Sequence, residues 1–168
     1  MWVATNTGRV FISKNANAAA GSVTYTRLDT LPSATADPGR FVSGIYVDPS
    51  NPNHAWISYS GYNFNTPAQP GHVFSVLFDP AVPDATWTKL DGTSFPDFPA
   101  TDIVRDSNGD LYASTDFGVM RLPNGSSGWE VAGTGLPQVE VAGLTIATEG
   151  RKLYAATHGR SAWQLTLP

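Results

Sequence analysis

The chain contains no cysteine in its 168 residues, which excludes disulfides, thiolate metal sites and thiol nucleophiles. Charge is scarce: Asp, Glu, Lys and Arg make up 14% of the residues, and the formal net charge is -4. Ten basic residues, spread along the chain, form no basic face, so no nucleic-acid partner is expected. No apolar run is long enough to cross a bilayer, so no membrane partner is expected. No basic-then-apolar leader opens the sequence, and an export signal, if the protein has one, is expected outside it. Thirteen prolines, sixteen glycines and many Thr, Ser and Asn stand where Lys and Glu usually stand. That mixture favours short strands and tight turns over long helices. The 41% hydrophobic content is enough for one domain with a real core.

One short phrase recurs. It reads "WVATNTG" at 2–8, "WISYSG" at 56–61, "LYASTDFG" at 111–118 and "LYAATHGR" at 153–160. Residues 101–137 show what surrounds it: four short apolar stretches, with Asn108-Gly109 between the first two and Asn124-Gly125 between the last two. Asn-Gly favours tight hairpin turns. The unit therefore reads as a four-stranded antiparallel meander of about 40 residues, the size of a propeller blade.

The rest of the chain aligns on this unit. First strands are predicted at 43–49, 101–106 and 142–147, and the recurrent phrase is the second strand. Third strands fall at 8–13, 71–76, 118–122 and 161–167, and fourth strands at 23–29, 85–91 and 128–133, with Tyr25, Trp87 and Trp129 equivalent. The expected fold class is all-β: a partial β-propeller of about 14 antiparallel strands, with two complete and two incomplete blades. The expected units are an incomplete blade at 1–41, blades at 42–99 and 100–138, and an incomplete blade at 139–168. Rings have about 4–8 blades, each covered by its neighbours. The expected partners are therefore the remaining blades of a larger propeller or a second, head-to-tail copy.

The segments "GRFVSGIYVDPSNPNHAWISYSGYN", "GHVF", "LYASTDFGV", "GTGLP" and "ATHGRSAW", in that order, resemble the bacterial BNR/Asp-box-repeat proteins of the sortilin-like and sialidase-like propeller superfamily. The resemblance covers nearly the whole chain and is greatest to the final blades of large exported proteins. It implies an extracellular or cell-surface location. The Asp-box itself, Ser-x-Asp-x-Gly-x-Thr-Trp between third and fourth strands, is worn. Ser13, Asn15 and Thr24-Tyr25 remain in the first blade, Thr86-Trp87 in the second and Trp129 in the third. The box is a structural fold-back and implies no catalysis.

Turns between second and third strands share a face with the links between blades. That face is predicted to hold Asn6, Thr7, the loop 60–71 with Tyr62 and Phe64, Asp116, Phe117, His158 and Arg160. The links add Arg40, Phe95, Asp97, Phe98 and Asp102. Aromatic rings beside polar groups suit a sugar, and the expected ligand is a glycan or a protein. The competing reading has Tyr62, Phe95 and Phe98 filling gaps between blades. A glycosidase needs two carboxylates about 5–10 Å apart. Asp97, Asp102 and Asp116 are the candidates, and a missing half would complete such a site. Asp116 is better explained as bonding the turn that ends at Gly118.

His158 is expected beside the guanidinium of Arg160, which would hold the imidazole neutral. With Thr157 it would latch the last blade to its neighbour. Arg40, Arg121 and Arg160 do not have the spacing of a sialidase triad, and Glu140 and Glu149 lack a tyrosine partner. "DSNGD" at 106–110 begins like a calcium loop but has Phe117 where the bidentate glutamate belongs, so a hairpin explains it. His54, His72 and His158 are scattered. Neither a metal nor another cofactor is expected, and the preferred role is a non-catalytic scaffold or recognition module.

Overall fold

The computed structural model describes residues 1–147, 149 and 151–168. Fourteen antiparallel strands form four sheets, each running in chain order. The first sheet holds β1 (Trp2–Ala4), β2 (Val10–Ile12) and β3 (Thr26–Arg27). The second holds β4 (Val42–Val47), β5 (His54–Tyr59), β6 (Val73–Asp79) and β7 (Asp84–Lys89). The third holds β8 (Ala100–Arg105), β9 (Leu111–Thr115), β10 (Gly118–Leu122) and β11 (Glu130–Val131). The fourth holds β12 (Val141–Ala147), β13 (Lys152–Thr157) and β14 (Ala162–Thr166). This is a partial propeller with two four-stranded and two three-stranded sheets. Among the described residues the helical segments are three-residue 3-10 turns, and no helix is long and apolar enough to cross a membrane.

The outermost strands β3 and β11 are two residues long, shorter than the patterns at 23–29 and 128–133 suggest. Each pairs on one side only, and short edge strands offer little unpaired backbone to other chains. In the first sheet the chain before β3 is occupied instead by a fold-back. Asn15 Oδ1 accepts from Thr24 N at 2.9 Å, Thr24 Oγ1 at 3.2 Å and Ser13 Oγ at 3.3 Å, while its amide donates to Ser22 O.

The core is divided by interface. Val10, Ile12 and Leu28 of the first sheet meet Ile57, Phe74, Val76 and Trp87 of the second. Trp56 and Val73 of the second meet Ile103, Leu111, Ala113 and Trp129 of the third. Tyr112 and Val119 of the third meet Leu144, Leu153 and Ala155 of the fourth. The burial pattern follows from this stacking. Residues 55–59 of β5 and all of β9 are buried, because both faces of their sheets are covered. β13 alternates buried and exposed, because only one face of its sheet is covered.

Each of the three first strands carries a bulge at the same place, between Val42 and Gly44, Ala100 and Asp102, and Val141 and Gly143. The bulged residue reaches the next sheet. Ser43 Oγ donates to Ala100 O at 2.7 Å, and Thr101 Oγ1 donates to Val141 O. Gly44 is required beside this contact, since a Cβ there would lie 2.7 Å from Asp102 Oδ1 and 2.9 Å from Ile103 N.

The opposite face is built from carboxylate-capped turns. In the 106–110 segment Asp106 Oδ1 accepts the backbone N–H groups of Asn108 and Asp110, both at 2.9 Å. Asp110 takes Asn124 N and the guanidinium of Arg121. These oxygens hold a hairpin turn. On the same face Asp48 accepts from Ser50 Oγ at 2.6 Å and Ser50 N at 2.8 Å, and lies 3.1 Å from His54 Nδ1.

The Ser50 hydroxyl and then the Ser50 amide and His54 hold the Asp48 carboxyl down at about 2. A lowered carboxylate contributes stability that is fully present above its unfolded value of about 3.9 and is lost as pH falls toward 2. The melting temperature is therefore expected to drop between about pH 4 and pH 2, and Asp48→Asn should flatten part of that drop. Thermal melts of both proteins across that range check it; parallel curves would refute the assignment.

Candidate functional site on the loop face

The turns between second and third strands and the links between sheets lie together, because one backbone bond ties them in three sheets. Ser60 N donates to Phe41 O at 2.9 Å, Asp116 N to Pro99 O at 3.3 Å and His158 N to Glu140 O at 2.8 Å. In each case the residue after the second strand bonds the residue just ahead of the first strand.

The second sheet presents the most developed part of this face. Loop 60–71 closes around the side chain of Arg40, which comes from the preceding link. Arg40 Nε donates to Ser60 O at 3.0 Å, Nη1 to Thr66 Oγ1 at 2.7 Å and to Tyr62 O at 3.4 Å, and Nη2 to Gly71 O. Burial lowers the Arg40 pKa, while Asp91 and Asp97 act in the other direction. Asn63 Oδ1 accepts from Gly71 N at 2.7 Å, which pulls the loop ends together. On the loop surface Tyr62 and Phe64 stack with centroids 6.3 Å apart and planes 28° apart. Phe64 is 76% exposed and Tyr62 37%.

Beneath the loop, His72 is 1% exposed. Its Nδ1 lies 3.0 Å from Asp91 Oδ2, and its Nε2 lies 3.2 Å from Asp97 Oδ1 without hydrogen-bond geometry. Asp97 Oδ1 also accepts Asn63 N at 2.8 Å, so Asp97 anchors the loop from the next link. Burial on its own would raise Asp91. The His72 ring and the backbone N–H groups of Val73 and His72 outweigh burial and leave the carboxyl below the usual range. Nearby, Tyr59 donates to Asp37 Oδ1 at 2.7 Å, and burial, partly offset by that bond, raises the Asp37 carboxyl.

Phe95 is buried, packed edge-on against Trp129 at 4.9 Å and beside His72, so it fills the gap between the second and third sheets. Phe98 and Phe117 pair at 4.5 Å, with Phe98 half-buried and Phe117 exposed. Asn6, Thr7 and Arg160 are exposed. The Arg160 carbonyl accepts Trp163 Nε1.

Each of the three candidate aspartates has partners of its own. Asp102 follows the bulge of β8: its Oδ2 accepts Leu144 N of the next sheet at 2.9 Å and its Oδ1 accepts Ile103 N. Burial raises its carboxyl, and those two N–H groups pull it down again in part. Asp97 is tied to His72 and Asn63. Asp116 is raised by burial and then by the charge of Glu140, a different partner from either candidate. The turn ending at Gly118 is bonded by Thr115, whose hydroxyl accepts Phe117 N and donates to Gly118 O, where the sequence suggested Asp116. His158 has Glu140 as its charged neighbour, with Nδ1 3.0 Å from Oε2, and the expected pairing with Arg160 is replaced by this one. The chain direction through the link explains it: the backbone bond from His158 N already brings Glu140 alongside. Among the described residues no three His, Asp or Glu side chains are grouped to hold a metal.

Sequence reading missed Asp91 and the pairing of Glu140 with His158. The signal for Asp91 was present: "Leu-Asp" closes both Tyr25-x-x-Leu28-Asp29 and Trp87-x-x-Leu90-Asp91. Asp29 Oδ1 accepts Val10 N at 2.8 Å, the same use of a carboxylate to cap the start of a third strand.

No family model and no curated protein matches this chain. Solved structures do. The extracellular domain of a one-component system from B. thetaiotaomicron is 14% identical with a TM-score of 0.58, over 98% of this chain and 21% of that one. PorZ, a surface component of the type-IX secretion system of Porphyromonas gingivalis, is 14% identical with a TM-score of 0.63, over 98% and 23%. A gluconolactonase from Xanthomonas campestris is 15% identical with a TM-score of 0.54, over 99% and 56%. The chain thus spans about a fifth of the first two proteins and just over half of the third. At these identities the likeness shows the fold alone: four sheets of a β-propeller.

Proposed function

We propose that this chain is a non-catalytic recognition arc of an exported β-propeller protein, related to the Asp-box proteins, which binds a glycan on its loop face. One observation carries the reading: the stacked Tyr62–Phe64 pair, exposed on a loop whose backbone carbonyls are held from inside by Arg40. Rings fixed before binding present a flat apolar surface to the CH face of a sugar without paying to order a mobile loop. Asn65, exposed in the same loop, offers an amide to bond hydroxyls. Extracellular and surface proteins among the structural neighbours support the exported setting. Phe117 offers a third ring on the same face.

A second reading rests on Asp116, raised by burial and then by the charge of Glu140: the pair would be the acids of a glycoside hydrolase completed by further sheets. The two readings separate in one set of measurements. Titration calorimetry against a panel of soluble polysaccharides is expected to give binding that falls about tenfold or more in Phe64→Ala and Tyr62→Ala, a loss of roughly 1.4 kcal/mol, and survives Asp116→Asn. Reducing-sugar release from the bound polysaccharide that disappears in Asp116→Asn would replace the first reading with the second. Absence of binding to the whole panel would leave a structural arc.

A further inference from the structure

The link between the second and third sheets contains Pro96-Asp97-Phe98-Pro99. Each proline fixes its own backbone torsion, and Phe98 N donates to Pro96 O at 2.7 Å, so the link is stiff where it carries Phe98. The turn after β9 meets this link through the bond from Asp116 N to Pro99 O. The residues next to that bond, Phe117 and Phe98, come together with ring centroids 4.5 Å apart. Thr115 Oγ1 accepts Phe117 N at 3.1 Å and fixes the backbone under the second ring. The third sheet therefore displays an aromatic pair made as the Tyr62–Phe64 pair is made, on backbone tied down from within.

The two pairs are joined. Asn63, between Tyr62 and Phe64 in the chain, donates its N–H to Asp97 Oδ1 at 2.8 Å, and Asp97 directly precedes Phe98. One hydrogen bond thus links backbones that carry a ring one residue to each side, and neighbouring Cα atoms are only about 3.8 Å apart. Phe64 is 76% exposed and Phe117 48%, and the Asp97 side chain between them is 51% exposed. Among the described residues nothing bonds Asp97 Oδ2, which leaves it to accept from a ligand. The charge set between the pairs is negative, while the Arg40 guanidinium is buried against the loop carbonyls.

This inference rests on the glycan reading above. We propose that the site takes an internal stretch of a neutral linear polysaccharide, lying across both aromatic pairs with Asp97 Oδ2 accepting a sugar hydroxyl between them. Flat rings favour pyranoses with equatorial hydroxyls, which leave apolar CH faces for stacking. The carboxylate disfavours polyuronates and sulfated chains by placing like charges together. A short sugar covers the more exposed Tyr62–Phe64 pair alone. A longer chain reaches the Phe98–Phe117 pair as an intramolecular second contact, so affinity rises with length.

Calorimetry with size-sorted oligosaccharides of xylan, cellulose and β-mannan tests the proposal. The hexasaccharide of the recognised polymer is expected to bind about tenfold or more tightly than its disaccharide. Phe117→Ala is expected to remove that difference and leave disaccharide affinity within about twofold, whereas Phe64→Ala weakens both lengths and Phe117→Tyr, which keeps the ring, keeps the difference. Carboxymethyl cellulose is expected to bind more weakly than hydroxyethyl cellulose, and Asp97→Asn to narrow that gap. Equal affinity for the two lengths, an undiminished difference in Phe117→Ala, or preference for the carboxymethyl polymer would overturn the proposal and leave a glycan site at Tyr62 and Phe64. Binding of none of these oligosaccharides, with another polysaccharide bound, would also overturn it alone. Binding of no polysaccharide would remove it together with the reading it rests on.

Discussion

Replacing Gly8 with alanine is expected to cost about 3 kcal/mol or more and to lower the urea midpoint accordingly. Gly8 has φ +81°, and a Cβ built on it lies 2.5 Å from Gly39 C, 2.6 Å from Gly39 O and 2.7 Å from Arg40 O. All three atoms are backbone, so no side chain can rotate aside. The left-handed conformation costs about 1–2 kcal/mol for an L residue. Forcing the β1–β2 turn off the link that carries Gly39 and Arg40 adds a further ~1–3 kcal/mol. Against a typical stability of about 5–15 kcal/mol this is a large fraction. Gly21 supplies the control: nothing lies within 4 Å of its Cβ position, and Gly21→Ala should be near neutral. A Gly8→Ala midpoint within error of that control would show that the link yields.

Arg40→Met is expected to cost about 3 kcal/mol and, more specifically, to open loop 60–71. The guanidinium serves three backbone carbonyls and one hydroxyl, and each buried acceptor left unpaired costs about 1–3 kcal/mol unless water reaches it. Methionine fills much of the volume and supplies no donor. Lysine is expected to rescue little, because one ammonium cannot face Ser60 O, Thr66 Oγ1 and Gly71 O from a single point. The readout is limited proteolysis. Cleavage within 60–71 should appear in Arg40→Met while the rest of the chain stays protected, and binding to any polysaccharide recognised by the parent should fall with it. Protection equal to the parent would mean that Asn63 and Asp97 hold the loop without the arginine.

The repeat was legible because it is written in local terms. Alternation of apolar residues and Asn-Gly turns act over a few neighbours, and four copies of one phrase fix the strand order. The loop face was legible for the same reason, since a meander places alternate turns on opposite sides. The partners within that face were not. Glu140 is 18 residues from His158, and only the fold of the intervening hairpin sets them together. Asp102 read as a free acid because nothing in its own neighbourhood announces a bulge; the register shift shows only in the paired strands. Thr115 took the turn bond assigned to Asp116, since its shorter hydroxyl already sits under the Phe117 amide.

The difference in burial between β5 or β9 and β13 has a consequence for how the molecule breathes. Every sheet is a run of sequence-adjacent hairpins, so each can detach from its neighbour without unthreading the others. Such a stack behaves as a short one-dimensional lattice, with local opening easiest at its margins. Amide deuteration should therefore run inward, β13 and β1 exchanging first and β5 and β9 last, and engagement of the outer faces should erase that gradient.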